Sequence, residues 1–273
     1  SELTELERKQ VAEFLAGMPM GSAATTEIQA CEHIPAFNTF DRPDFGNWGI
    51  DANQRYISDK DSGISPDAIG RLIPAWSVGF PNSNRMRSQP TLAGGYLFVG
   101  THNGGVYALD QEFGCMIWHF NAAGEVRTGI SIDPWDPENS DADPQIYFGD
   151  VLGNVYALRA RTGDLVWRDK ADDHANATIT GAPSLHNGVL YTPVSSLELL
   201  TAGDPSYECC TSRGSVVAYD ANNGARIWKT YVVADEPVIQ GQNAIGTDSY
   251  GPSGAPVWNS PTIDASRNQL YVG

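Results

Sequence analysis

Three segments of the 273-residue chain share one register: "VYALDQEFGCMIW" (Val106 to Trp118), "VYALRARTGDLVW" (Val155 to Trp167) and "VVAYDANNGARIW" (Val216 to Trp228). In each, a Gly falls four residues after the Asp110, Arg159 or Asp220 position, and a Trp falls eight after it. Each unit reads as an apolar strand, a polar turn closed by Gly where a positive φ is needed, and a second strand ending in Trp, which is a hairpin. Before each lies another strand-pair signal, "PTLAGGYLFVG", "PQIYFGD" and "APSLHNGVLYTPV", and a fourth begins at "PTIDASRNQLYVG". Four strands per unit, with Trp recurring every 42 to 61 residues from Trp76 to Trp118, Trp167 and Trp228, predict an all-β propeller. The tryptophans are expected to fill the space between adjacent blades. Phe98, Tyr107, Tyr147, Tyr156, Tyr191 and Tyr219 are expected in the same core.

Composition agrees with short strands and many turns, since 28 Gly and 17 Pro accompany only 18% charged residues. A formal charge of −16, from 17 Lys and Arg against 33 Asp and Glu, argues against nucleic acid, whose binding rests on basic patches. No run of 18 apolar residues occurs, so no membrane span is expected. "SELTELERKQVAEFLAG" places Leu3, Leu6, Val11, Phe14 and Leu15 on one helical face, with Thr4 as cap and Gly17 as stop. Residues 18–45 have linker composition, and the propeller is expected over 46–273, beginning near Trp48. The chain ends at "NQLYVG", inside a strand pattern, and reads as a fragment of roughly half a ring.

With "NWGIDANQRYI", "LIPAWSVGF", "RSQPTLAGGYLFVGTHNGGVYALD" and the Asp-x3-Gly-x3-Trp repeat in hand, the chain resembles the pyrroloquinoline quinone (PQQ) dependent alcohol dehydrogenases, and among them the polyvinyl-alcohol dehydrogenase type. That resemblance implies an eight-bladed propeller, PQQ and Ca²⁺ as cofactors, an alcohol substrate and a cytochrome c electron acceptor. It also makes the opening helix look like the last helix of an upstream cytochrome c domain. No CxxCH motif is present, so haem c is expected only in such an upstream domain.

The resemblance implies site residues too. A planar tricarboxylate quinone needs cations, a stacking plane and a metal near its reactive carbonyl. Thr180, Ser195 and Glu198 match the family's Thr, its Ser-rich turn (here Ser195 and Ser196) and its calcium-ligating Glu at ungapped intervals. Glu208, close before "RG", is the rival metal ligand, because "LLTAGDPSYECCTS" reads as an insertion after Glu198. Trp258 matches the stacking tryptophan, and Arg127 the arginine that pairs with a PQQ carboxylate. Arg87 stands three residues before Pro90, where many relatives have a cofactor-contacting Glu. The family's metal-binding Asn and its catalytic base would fall beyond residue 273. The five histidines, His33, His102, His119, His174 and His186, show no ligand spacing and read as structural.

Relatives with a vicinal cysteine pair carry it shortly before the Arg127 region, where this chain has only "NAAGEV". Cys209 and Cys210 are expected to replace it from another blade, bridged to each other and covering the quinone opposite Trp258. Cys31 and Cys115 are then left as a second pair tying the linker to the first complete blade. Two pairs fit a periplasmic or secreted protein. Two functions stay open from sequence: a PQQ- and calcium-dependent alcohol dehydrogenase, and a noncatalytic PQQ-repeat propeller acting as a scaffold.

Overall fold

The structure, a computed structural model, describes residues 4–16, 28–37, 49, 64–136, 138–139 and 141–273. Residues 18–27 and 38–45 of the expected linker, the Gly17 stop and the propeller start near Trp48 lie outside the described residues. Strands β1 (Thr91–Ala93), β2 (Tyr96–Gly100), β3 (Gly105–Asp110) and β4 (Met116–Asn121) form one antiparallel sheet in chain order. Strands β5 (Ser131–Ile132), β6 (Gln145–Gly149), β7 (Asn154–Arg159) and β8 (Leu165–Lys170) repeat it. The third sheet holds β10 (Ser184–His186), β11 (Val189–Ser196), β12 (Ser215–Asp220) and β13 (Arg226–Tyr231), with β9 (Ala177–Thr178) pairing the end of β11. A separate hairpin, β14 (Val238–Gln242) with β15 (Asp248–Gly251), precedes a two-stranded sheet of β16 (Thr262–Asp264) and β17 (Gln269–Tyr271). The architecture is an open run of propeller blades.

The repeat motif explains how the blades join. The indole Nε1–H of Trp76 donates to the Gln111 carbonyl at 3.2 Å, that of Trp118 to Ala160 at 2.9 Å and that of Trp167 to Ala221 at 2.7 Å. Each indole therefore bonds to the third-to-fourth strand turn of the next blade. The turn glycine lies under the ring: a Cβ on Gly114, Gly163 or Gly224 would stand 2.5–2.7 Å from atoms of Trp76, Trp118 or Trp167. These glycines also have φ of +70°, +75° and +72°. The repeat is thus an interface device, with Gly required by both contact and backbone. Asp110 and Asp220 cap their turns through Oδ1, which accepts from Glu112 and Phe113 N–H and from Asn222 N–H. The expected aromatics Phe98, Tyr107, Tyr147, Tyr156 and Tyr219 are buried, while Tyr191 is half-buried against Trp228.

Residues 28–37 fold onto the first blade instead of behaving as a free linker. Ala30 pairs in parallel with Met116, and the Tyr96 hydroxyl donates to the Pro35 carbonyl at 3.0 Å. Phe37 is buried between Tyr96 and Trp135. The expected Cys31–Cys115 disulfide is present across a sequence separation of 84. Because it closes a long loop in the unfolded chain, replacing both cysteines with Ser is expected to lower stability by about 2–4 kcal/mol. Urea unfolding measures this, and a change below about 1 kcal/mol would mean that the segment docks without help from the bridge.

Helix α1 (Glu5–Ala16) begins with the expected Thr4 cap. Glu7 N–H donates to Thr4 Oγ1, and Thr4 N–H donates back to Glu7 Oε2 at 2.7 Å, which is a capping box. Leu6, Val11 and Phe14 are exposed on it. Among the described residues, no helix is long and apolar enough to cross a membrane.

Candidate functional site

One end of the blades gathers the expected site residues, and the reason is strand direction. The segments entering the first strands of successive blades meet the ends of the second strands, or the turns just after them, at that end. Val126 N–H donates to the Thr101 carbonyl, Ile179 N–H to Asp150 and Val257 N–H to Val194. These are equivalent contacts in three blades. Gly100 and Gly149 allow them, since a Cβ on either would collide with Val126 or Ile179. Arg127, Thr180 and Trp258 ride on the three entering segments, each one residue after its anchor, so the repeat itself converges them. A groove of about 610 Å³ opens at the opposite strand ends, between Trp135, Asp136, His186 and Asn222, away from all of them.

Within the site, Thr180 Oγ1 donates to the Trp258 carbonyl at 3.3 Å, and the Trp258 side is 39% exposed, leaving ring surface open. Ser195 lies opposite Thr178 in the β9–β11 register, so their side chains share one face. Both hydroxyls are buried without a hydrogen-bond partner. Ser196 Oγ accepts from Glu198 N–H at 3.0 Å, at the first residue of helix α2 (Glu198–Thr201).

Glu198 is 2% exposed. Its Oε1 accepts from the Tyr207 hydroxyl at 3.0 Å and from Thr211 N–H at 2.8 Å, and its Oε2 accepts from Ser212 N–H at 2.9 Å. Burial works to raise its pKa, but the donors on Ser212, Thr211 and Tyr207 outweigh burial and hold it below the ordinary carboxylate value. His174 completes the cluster, with Nε2 at 2.9 Å from Thr211 Oγ1 and 3.7 Å from Glu198 Oε1. A carboxylate has about four lone-pair directions. The Thr211 hydroxyl adds a longer contact to Oε1 at 3.4 Å, and the Ser212 side chain also bonds the carboxylate, so protein donors surround it. Glu208, by contrast, is exposed and faces Tyr250, whose phenol is raised by desolvation and then by the charges of Glu208 and Asp248. Among the described residues, no three His, Cys, Asp or Glu side chains converge in a metal-holding group.

Cys209 and Cys210 are disulfide-bonded to each other through a cis peptide. Their loop is held from two sides, by Glu198 on Thr211 and Ser212 and by the β14–β15 hairpin, where Tyr250 N–H donates to the Cys209 carbonyl at 2.6 Å. Neither this hairpin nor the roles of His174 and Tyr207 are signalled by any spacing in the sequence. The histidine belongs to the site cluster as a support for the loop, with no ligand spacing to announce it.

Arg127 is the other charged centre. Its Nη2–H donates to Glu125 Oε2 at 3.0 Å, while its Nε is buried without a partner. Arg87 reaches Glu125 at 3.9 Å, and Arg85, not anticipated, reaches it at 3.7 Å. An open guanidinium edge, two orphan hydroxyls and a partly exposed indole fit a planar polyanion carrying carbonyl oxygens. A buried carboxylate is of the ligand type a hard cation takes, and such ligands are commonly fixed by hydrogen bonds of this kind.

A repeating-blade propeller with this polar end defines the class. Residues 47–273 match the family profile described as "PQQ: Glucose/ethanol/alcohol dehydrogenase, beta-propeller domain". The chain is 31% identical to a polyvinylalcohol dehydrogenase of Pseudomonas sp over 99% of its own length and 44% of the relative's. It is 36% identical to a polyvinylalcohol dehydrogenase of Sphingopyxis sp. (strain 113P3), over 75% of this chain and 31% of that one. The solved quinohemoprotein alcohol dehydrogenase ADHIIG of Pseudomonas putida HK5 superposes with a TM-score of 0.60 at 24% identity, covering 88% of this chain and 37% of that one, which supports the fold. The protein belongs to the PQQ-dependent dehydrogenase β-propeller family. It spans under half the length of these relatives.

Proposed function

We propose that the chain supplies one side of the cofactor site of a PQQ- and Ca²⁺-dependent alcohol dehydrogenase, whose substrate is polyvinyl alcohol or a secondary alcohol. The observation that carries this reading is the convergence of Arg127, Thr178, Ser195 and Trp258 at one end of three blades, with a buried guanidinium nitrogen and two buried hydroxyls unpartnered. When bound, PQQ supplies the two-electron acceptor and Ca²⁺ polarises it. In this proposal Arg127 and Arg87 pair with cofactor carboxylates. Thr180 fixes the backbone that presents Trp258 for stacking. Ser195 and Ser196 line the edge, and Glu198 rather than Glu208 binds the metal. The Cys209–Cys210 bridge covers the ring opposite Trp258. Cytochrome c takes the electrons, and the exposed apolar side chains of α1 suit packing against an upstream cytochrome c-like domain. Two disulfides suit a periplasmic or secreted location.

Reconstituting the intact protein with PQQ and Ca²⁺ tests the reading. PQQ uptake by absorbance is expected, together with alcohol-dependent dye reduction using polyvinyl alcohol oligomers, a secondary alcohol and ethanol in parallel. Neither uptake nor reduction would leave the noncatalytic scaffold as the remaining reading.

A further inference from the structure

A carboxylate buried among three guanidinium groups is an unusual use of charge in a chain whose net charge is −16. The Glu125 side chain is 8% exposed and meets Arg127 at 3.0 Å, Arg85 at 3.7 Å and Arg87 at 3.9 Å. One negative charge cannot neutralise three positive ones, so the cluster keeps two surplus positive charges. Nor does Glu125 saturate their donors. Only Arg127 makes a hydrogen bond to it; Arg85 and Arg87 stand at ion-pair range, with side chains about half exposed. Arg127 Nε is buried and unpartnered. A buried N–H left open is costly unless a ligand or water takes it.

The backbone holds this arrangement from both neighbouring blades. Val126 N–H bonds to Thr101, and the Glu125 carbonyl accepts from Val151 N–H at 2.9 Å. The carboxylate is therefore a fixed anchor, while the two half-exposed arginines reach it from the segment before β1. From this we infer that Glu125 is a positioning residue that gathers Arg85 and Arg87 beside Arg127 into one anion cradle, and that Arg85 is a further ligand for a carboxylate of a planar polycarboxylate. The inference rests on the PQQ reading above and adds two residues to it.

The test is a fluorescence titration of the intact apoprotein with PQQ, and in parallel with its trimethyl ester, which keeps the rings and removes the charges. Arg85→Met keeps an apolar stem at an exposed position, so folding is not at stake. It is expected to weaken PQQ binding about tenfold and to flatten the dependence of affinity on salt, with the triester affected less than twofold. In a Glu125→Gln background the same Arg85→Met change is expected to cost under threefold, because the guanidinium is no longer held. If wild type binds PQQ and Arg85→Met lies within twofold of it, the inference falls and the PQQ reading stands. An equal loss for PQQ and triester, or an undiminished loss in the Glu125→Gln background, would also overturn it. If wild type binds no PQQ, both fall together.

Discussion

Replacing Trp118 with Ala is expected to lower the unfolding free energy by about 3–5 kcal/mol, the largest stability loss foreseen for a single side chain here. Trp118 is 8% exposed, sits on the Gly163 turn of the next blade and donates its Nε1–H to the Ala160 carbonyl. Alanine opens a cavity between two sheets and strands a buried carbonyl, so transfer, packing and hydrogen-bond losses act together. Phe113→Ala is the control: that ring is 70% exposed, and truncation should change stability by no more than about 0.5 kcal/mol. A coupling experiment locates the effect. Gly163→Ala alone should destabilise, because its Cβ would meet the Trp118 ring at 2.7 Å and its φ is +75°. In the Trp118→Ala background the collision is gone and only the backbone cost of roughly 1–2 kcal/mol should remain. Urea unfolding of the four variants measures both. A Trp118→Ala loss within 1 kcal/mol of Phe113→Ala would show that the blades do not depend on this contact.

The same contact explains why so much of the fold was legible. A blade interface needs a flat indole, a glycine able to lie under it and a fixed separation between them. Three copies of that requirement leave a pattern no helix or sandwich would write. What was not legible follows from the absence of repetition. The β14–β15 hairpin occurs once, and all of β14 is exposed, so it lacks the apolar alternation of a half-buried strand. Residues 28–37 read as linker because their attachment rests on backbone pairing at Met116, the single ring of Phe37 and one disulfide.

The site divides in a similar way. Thr180, Ser195 and Glu198 were singled out by ungapped intervals and Trp258 by its motif, and they lie toward one blade end because the interval from Thr180 to Ser195 is one strand pair, out and back. Glu125 and Arg85 could not be found so. Glu125 is one of 33 acidic residues, and only the turn anchored by Val126 and Val151 shows that its side chain points inward among arginines. His174 gains its role through Thr211, 37 residues away, across an insertion whose path no periodicity predicts.

Glu198→Ala carries the largest expected effect on function, because one carboxylate is asked to hold a loop and, in the proposal, a metal. The loop role can be measured without metal. Alanine leaves Thr211 N–H, Ser212 N–H and the Tyr207 hydroxyl without their acceptor, which should cost about 2–4 kcal/mol in the apoprotein. The pH dependence gives it a signature. The folded pKa lies below the ordinary carboxylate value, so the stabilisation is fully present above that ordinary value and is lost as pH falls through the folded pKa. The gap in urea midpoint between wild type and Glu198→Gln should therefore stay constant from neutral pH down to that value and narrow only below it. The metal role is separate: in the reconstituted enzyme Glu198→Ala should reduce alcohol oxidation at least about 100-fold and raise the Ca²⁺ needed for half-maximal activity, a carboxylate being the strongest ligand such a cation takes from protein. Glu208→Ala removes an exposed carboxylate and should change neither quantity more than about twofold. If Glu208→Ala alone shifts the Ca²⁺ requirement, the metal belongs to Glu208 and Glu198 keeps only the loop. A Glu198→Ala enzyme with a normal Ca²⁺ requirement and unchanged acid stability would remove both roles.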